Sequence, residues 1–229
     1  MTVAASRAAA DIVAAHVTAV MVATFEGVEG LGTLIEGRRA NAVVIGPGLE
    51  PDERTWGLVK AVLARDVAAV LDAGALTAFA GHLDALCGLV RERGFPTILT
   101  PHGGEFERLF GDMGVGEAAT RTGATVLRKG PATRIAGEGA ESESRHGPPW
   151  LATAGTGDVL AGLVAGLLAQ GTGAVHAAQA AVWLHGEAAR RLGPGMTADD
   201  MDAGLRPVIG EVVLARMAAS RRAGQERAG

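Results

Sequence analysis

Short apolar runs rich in β-branched residues recur at Ala42–Ile45, Ala68–Leu71, Thr97–Leu99, Thr125–Leu127 and Thr133–Ile135, and each has the length and composition of a strand. Between the first four, the apolar positions switch to helical spacing, over Arg54–Ala64, over Leu83–Arg93 and, less regularly, over Glu105–Phe110. This alternation predicts βαβ units around a largely parallel sheet. After the fifth run comes a polar loop, Gly137–Pro149, with three glutamates, two serines and two consecutive prolines, a surface excursion that could close as a hairpin. From Gly157 onward the pattern is mostly helical, with helices expected over Asp158–Ala169, Ala174–Arg191 and Ala198–Met217. The charged and small residues at 218–229 predict a frayed tail, which leaves residues 1–217 as one domain.

Composition narrows the function. Lysine plus arginine number 21 against 25 acidic residues, a formal charge of −4, and the basic positions are scattered. The basic residues are not gathered into a stripe interleaved with aromatics and tyrosine is absent, which argues against nucleic-acid binding. The longest apolar stretch, Val159–Ala169, falls short of the ~20 residues that cross a bilayer, so it reads as a core helix. Asp11 and His16 interrupt the alanine-rich stretch Ala8–Val22, which reads as part of the fold rather than as a signal peptide. A single cysteine, Cys87, excludes an intrachain disulfide framework and fits a reduced, cytoplasmic setting.

In an open parallel sheet, ligands bind beyond the carboxyl ends of the strands, and this gives several loops positional meaning. Gly46-Pro47-Gly48-Leu49 follows the first run, as a rigid turn that either lets a ligand approach or simply ends a strand. Asp72 ends the second, placed to orient substrate or to cap a helix. Thr100-Pro101-His102-Gly103-Gly104-Glu105 follows the third. There His102 could bond a polar substrate and Glu105 could act on phosphate through water or magnesium; otherwise the pair caps a helix. Lys129-Gly130-Pro131-Ala132-Thr133 joins the fourth and fifth runs, and Lys129 is one of only two lysines in the chain.

Ala154-Gly155-Thr156-Gly157-Asp158 is the sharpest signal. Glycines at 155 and 157 permit a tight turn with exposed amides, and the apolar run that follows makes those amides the open N-terminus of a helix, which attracts phosphate. Asp158 falls in the first turn, where the helix dipole favours its anion, so it can serve as a base beside a bound phosphoryl group. The plainer alternative is a helix capped by Thr156, but such a cap needs neither glycine. His185 and Glu187 lie in an apolar helix, where a satisfied structural histidine is expected. No Walker-type, dinucleotide or zinc motif occurs, and no dedicated metal-ligand cluster is visible.

Taken in order, GPGL at 46–49, LDAGAL at 71–76, LTPHGGEFERLF at 99–110, KGPAT at 129–133 and PPWLATAGTGDVLAGLVAGLLAQG at 148–171 resemble the ADP-dependent NAD(P)H-hydrate dehydratases of the ribokinase-like superfamily, over about Ala14–Ala189. The resemblance implies a three-layer α/β/α sandwich with a mostly parallel central sheet. It implies a lyase that repairs nicotinamide cofactors, dehydrating (6S)-NADHX or (6S)-NADPHX to NADH or NADPH while ADP becomes AMP and phosphate. By similarity, Asp158 is the catalytic base and contacts the substrate with Gly48 and His102. Lys129, Gly130, Pro131, Ala132 and Thr133 hold the nucleotide, and the amides of Gly155, Thr156 and Gly157 form the anion hole. Glu105 is linked to phosphate or magnesium, and Mg2+ is expected with the nucleotide. The expected partners are NADHX or NADPHX and ADP, with a homo-oligomer and neither nucleic acid nor membrane.

Three departures from the family accompany this. The glycine-rich strand and helix that usually precede the region matching Ala14 are not found, Glu50 stands where a glycine is usual, and Gly74 stands where a second acid is usual. The alternatives are a small-molecule kinase of the same superfamily acting on a vitamin precursor, and a homologue that binds nucleotide without turnover. In such kinases asparagine tends to stand where this chain has His102, which favours the dehydratase.

Overall fold

In the computed structural model, which describes residues 1–226, all five expected strands form within one six-stranded sheet. The strands are β1 (Thr2–Ala5), β2 (Met21–Thr24), β3 (Ala42–Ile45), β4 (Ala68–Leu71), β5 (Thr97–Leu99), β6 (Thr125–Arg128), β7 (Thr133–Gly137) and β8 (Ala140–Ser144). The helices are α1 (Arg7–His16), α2 (Gly27–Gly37), α3 (Glu53–Leu63), α4 (Gly74–Thr77), α5 (Leu83–Arg91), α6 (Gly103–Phe110), α7 (Val115–Thr122), α8 (Thr156–Leu168), α9 (Ala174–Leu192) and α10 (Met201–Glu226). The sheet order is β3-β4-β5-β6-β7-β8, parallel through β6 and antiparallel beyond it. The polar excursion does contain a hairpin. Gly137 pairs with Ala140, and the two residues between them, Glu138 and Gly139, take φ of 51° and 76°, the positive pair that a tight hairpin turn requires.

The strands are apolar at consecutive positions because both faces of the sheet are covered. Ile45, Ala69, Leu71, Leu99 and Val126 point into a layer formed by α2, α3, α5, α6 and α7, where Leu58, Val62, Leu86, Phe106 and Phe110 meet them. Their neighbours Ala68, Val70, Ile98, Leu127 and Ile135 point the other way, onto Leu160 and Val164 of α8 and the alanines 174, 177, 178 and 181 of α9. Two helical layers thus enclose the sheet, giving the three-layer α/β/α sandwich. A third cluster joins the end of α9 to Met201, Leu205 and Val208 of α10.

Three features differ from expectation. β1 and β2, unforeseen in the alanine-rich beginning, pair in parallel as a separate two-stranded sheet joined by α1. α6 starts at Gly103, two residues before the expected Glu105. Helix α10 runs to Glu226, through most of the expected tail, because Ala215, Arg216, Ala218, Ala219 and Arg221 are good helix formers; residues 227–229 lie outside the described residues. No described helix is long and apolar enough to cross a membrane.

Candidate active site

Because β3, β4, β5 and β6 are parallel, the loops that follow them emerge at the same edge of the sheet. Backbone hydrogen bonds tie these loops together: Asp72 N–H donates to Ile45 at 3.1 Å, Thr100 N–H to Leu71 at 3.0 Å, and Lys129 N–H to Pro101 at 2.8 Å. His102 and Lys129 add a parallel bridge between the ends of β5 and β6.

The start of α8 closes this edge. Its N-cap is Gly155, in the left-handed region at φ 83°, and no side chain caps it. The plainer alternative, a helix capped by Thr156, is therefore not what forms. Thr156 is instead the first helical residue, buried, and its hydroxyl donates to the carbonyl oxygens of Leu151 at 2.8 Å and Thr153 at 2.9 Å, fixing the preceding loop. The Gly155 carbonyl accepts from the amides of Asp158 and Val159, so the open amides precede Asp158.

Three charged groups converge there. Lys129 Nζ lies 2.7 Å from Asp72 Oδ1, in a pair whose aspartate is fully buried. A Cβ placed on Gly157 would stand 3.2 Å from the same Nζ, so the ammonium rests against the first turn of α8. Asp158 is exposed, yet its pKa is raised, first by partial loss of water and then by the neighbouring Asp72, with Lys129 opposing. Behind the turn, His185 of α9 is buried and neutral. Desolvation is the main cause of its pKa falling to about 4; Lys129 adds to this and a contact with the Thr156 backbone opposes it. Its Nε2 has no partner among the described residues, which departs from the satisfied histidine expected there.

The other expected residues divide. His102 caps α6: its Nδ1 accepts from the amides of Gly104 at 3.1 Å and Glu105 at 3.4 Å, while the Glu105 carboxylate accepts from the His102 amide at 2.8 Å. Glu105 is buried and braces His102. With Nδ1 acting as acceptor, Nε2 carries the proton, 3.4 Å from Glu105 Oε1 on a ring that is 55% exposed. Gly130, Pro131, Ala132 and Thr133 form the β6–β7 turn, closed by the Thr133 hydroxyl donating to Gly130 at 3.1 Å. Gly48 is exposed at φ 72° in a loop interlocked with the Asp72 loop. Two cavities, of about 400 and 330 Å³, lie elsewhere, at Gly81–Ala85 and between Ile35 and Val67. Asp72 is the residue whose place in the site the sequence left open; its signal was an acid at a strand's carboxyl end, without an identified partner.

A family model described as NAD(P)H-hydrate dehydratase matches residues 1–204, a longer span than the motifs alone marked out. The chain is 43% identical over 164 residues to the bifunctional NAD(P)H-hydrate repair enzyme of Salinibacter ruber, covering 67% of this chain but 30% of that protein. Among solved structures it is similar to the ADP/ATP-dependent NAD(P)H-hydrate dehydratase of Bacillus subtilis co-crystallised with ATP and Mg2+, with TM-score 0.75 and 27% identity over 92% of this chain and 78% of that one. It is also similar to a ribokinase-like superfamily protein of Enterococcus faecalis V583, with TM-score 0.76 and 26% identity over 92% and 76% of the two chains.

Proposed function

The chain belongs to the NAD(P)H-hydrate dehydratase family, and we propose that it dehydrates (6S)-NADHX or (6S)-NADPHX to NADH or NADPH while converting ADP to AMP and phosphate. The observation that supports this most directly is the group of Lys129 and Asp158 at the uncapped start of α8, a cation against the first turn and a base within it, beside open backbone amides. Such a site suits phosphoryl transfer, in which catalysis is mostly positioning and charge stabilisation.

Asp158 removes the proton from the substrate hydroxyl as its oxygen attacks the β-phosphorus of ADP. The phosphoryl group moves to that oxygen and AMP leaves. The carbon–oxygen bond then breaks with phosphate taking the electron pair, and loss of a ring proton restores the nicotinamide double bond. The raised pKa of Asp158 suits it to accept a proton. In this scheme the amides of Gly155, Thr156 and Gly157 and the Lys129 ammonium face the transferring phosphoryl group. Gly130, Pro131, Ala132 and Thr133 line the nucleotide, and Gly48 with the Nε2–H of His102 meets the hydrated nicotinamide. Magnesium would enter bound to the nucleotide and would supply neutralising charge to its phosphates, whose oxygens the open amides and the Lys129 ammonium would meet.

The test is to supply purified protein with NADHX, ADP and magnesium and to follow the absorbance of reduced nicotinamide. The wild type is expected to regain it, and Asp158→Asn to lose it with its unfolding transition unchanged. Full activity in the variant would overturn the assigned base. Consumption of a vitamin-type alcohol with ATP, and indifference to NADHX, would overturn the dehydratase in favour of a kinase.

A further inference from the structure

Asp72 and Lys129 follow strands that are not neighbours, since β5 lies between β4 and β6. The Lys129 backbone is fixed by its bond to Pro101, but its side chain must reach back across the end of β5 to lie beside Gly157. The end of that flexible four-carbon chain is anchored by a fixed anion on the far side, Asp72, at 2.7 Å. Asp72 is itself immobilised. Its amide and carbonyl are both bonded, the next residue, Ala73, is held at φ 46°, and its Oδ2 is buried with no partner among the described residues. Positive φ at alanine and an unsatisfied buried carboxylate oxygen both cost stability, and such costs gather where geometry serves function.

We propose that Asp72 is a positioning residue of the phosphoryl-transfer site, holding the Lys129 ammonium against the first turn of α8 so that it meets the nucleotide's phosphate. The proposal rests on the dehydratase reading only for the choice of nucleotide. The same carboxylate also acts on Asp158. The charged groups that bear on Asp158 are Asp72 from the end of β4 and Lys129 from the end of β6, while His185 of α9, behind Thr156, stays neutral. Removing the Asp72 charge takes away a repulsion on Asp158, whereas releasing Lys129 from the turn takes away an attraction, so the two changes oppose each other and the effect of Lys129 has to be read separately in each background.

Two measurements on the full chain test this. The first is ADP affinity by calorimetry in Asp72→Asn, Lys129→Met and the double variant. A lost charge-assisted contact is worth about tenfold or more in affinity, so each single variant is expected to weaken binding by about that factor. Because Asp72 acts through Lys129, the double variant is expected to bind no worse than Lys129→Met alone. Wild-type affinity in Asp72→Asn, or losses that add, would overturn the proposal. Should Asp72→Asn fail to fold with its cation left unpaired, the double variant, which buries no lone charge, still carries the comparison with Lys129→Met. The second measurement is the 13C titration of the Asp158 carboxyl without nucleotide, assigned through Asp158→Asn. Lys129→Met is expected to raise its midpoint in the otherwise wild-type chain and to move it less in Asp72→Asn, where the ammonium is no longer held beside the turn; an equal or larger movement in Asp72→Asn would overturn the proposal. This readout needs neither ADP nor NADHX, so it separates failure of the Asp72 assignment from failure of the dehydratase reading.

Discussion

His185 makes stability depend on pH in a definable window. Its pKa is about 4 in the folded chain against an ordinary value of 6.5, because protonation would place a charge among apolar groups behind the start of α8. Between these values the unfolded chain binds the proton and the folded chain does not, so stability rises with pH. The contribution is complete above pH 6.5 and is lost progressively as pH falls towards 4. A gap of 6.5 − 4 = 2.5 units, at about 1.4 kcal/mol each, sets the full swing at about 3 kcal/mol. That is a large part of a typical domain's margin.

The perturbation is His185→Leu, which removes the titrating ring and its unpartnered Nε2. Urea unfolding of both proteins at half-unit steps from pH 4 to 7.5 gives the difference in stability at each pH, in which carboxylates common to both proteins cancel. The difference is expected to be flat above pH 6.5 and to move in favour of the variant by up to about 3 kcal/mol as pH falls to 4. A difference independent of pH would refute the argument, since it would mean that His185 either charges inside the fold at no cost or titrates alike in both states.

Two further substitutions separate architecture from chemistry. Gly157→Ala places a methyl 3.2 Å from Lys129 Nζ, so it is expected to weaken ADP binding several-fold while leaving the unfolding midpoint within about 0.5 kcal/mol of wild type, as calorimetry and urea titration would report. His102→Asn keeps a good N-cap for α6 but removes the imidazole, whereas His102→Ala removes both. Stability is expected to fall by about 1 kcal/mol only in the alanine variant, while the KM for NADHX rises in both. A wild-type KM in His102→Asn would leave the histidine a cap and nothing more.

The strands from β3 to β6 were legible because each is a short run of apolar and β-branched residues, as burial on both faces demands, and β7 because Thr133 and Ile135 flank Arg134 with β-branched side chains. β1 and β2 escaped notice for the opposite reason. Each is four residues long, alanine accounts for part of both, and their burial is incomplete, so neither the alternating nor the continuous pattern stands out. The end of α10 was misjudged because its charges resemble a solvated tail, although the same alanines and arginines carry high helix propensity. In the site, the glycine loop and Asp158 could be read locally, because a helix start is a local feature. The Asp72–Lys129 pair could not, since its partners are 57 residues apart and meet only once the order of β4, β5 and β6 is fixed.

The glycines show how one residue type answers different demands at one sheet edge. A Cβ on Gly46 would stand 1.7 Å from the Asp72 carbonyl oxygen, and one on Gly74 would stand 1.9 Å from that of Leu49. Both are therefore glycine so that the loops after β3 and β4 can press backbone against backbone, and Gly74 occupies the family's usual second acid at a point where this chain has no room for a side chain. Gly48, two residues beyond Gly46, faces open space at φ 72° and is the glycine of that loop free to admit a ligand. Gly157 meets a side chain, the Lys129 ammonium, rather than backbone. Substitution at 46 or 74 should thus act on Asp72 through the fold, whereas substitution at 157 acts on Lys129 directly. Gly46 thus bears on the Asp72 end of the ion pair, with Gly74 shaping the same loop contact, and Gly157 bears on the Lys129 end, so glycine-rich loops far apart in sequence meet at one ion pair.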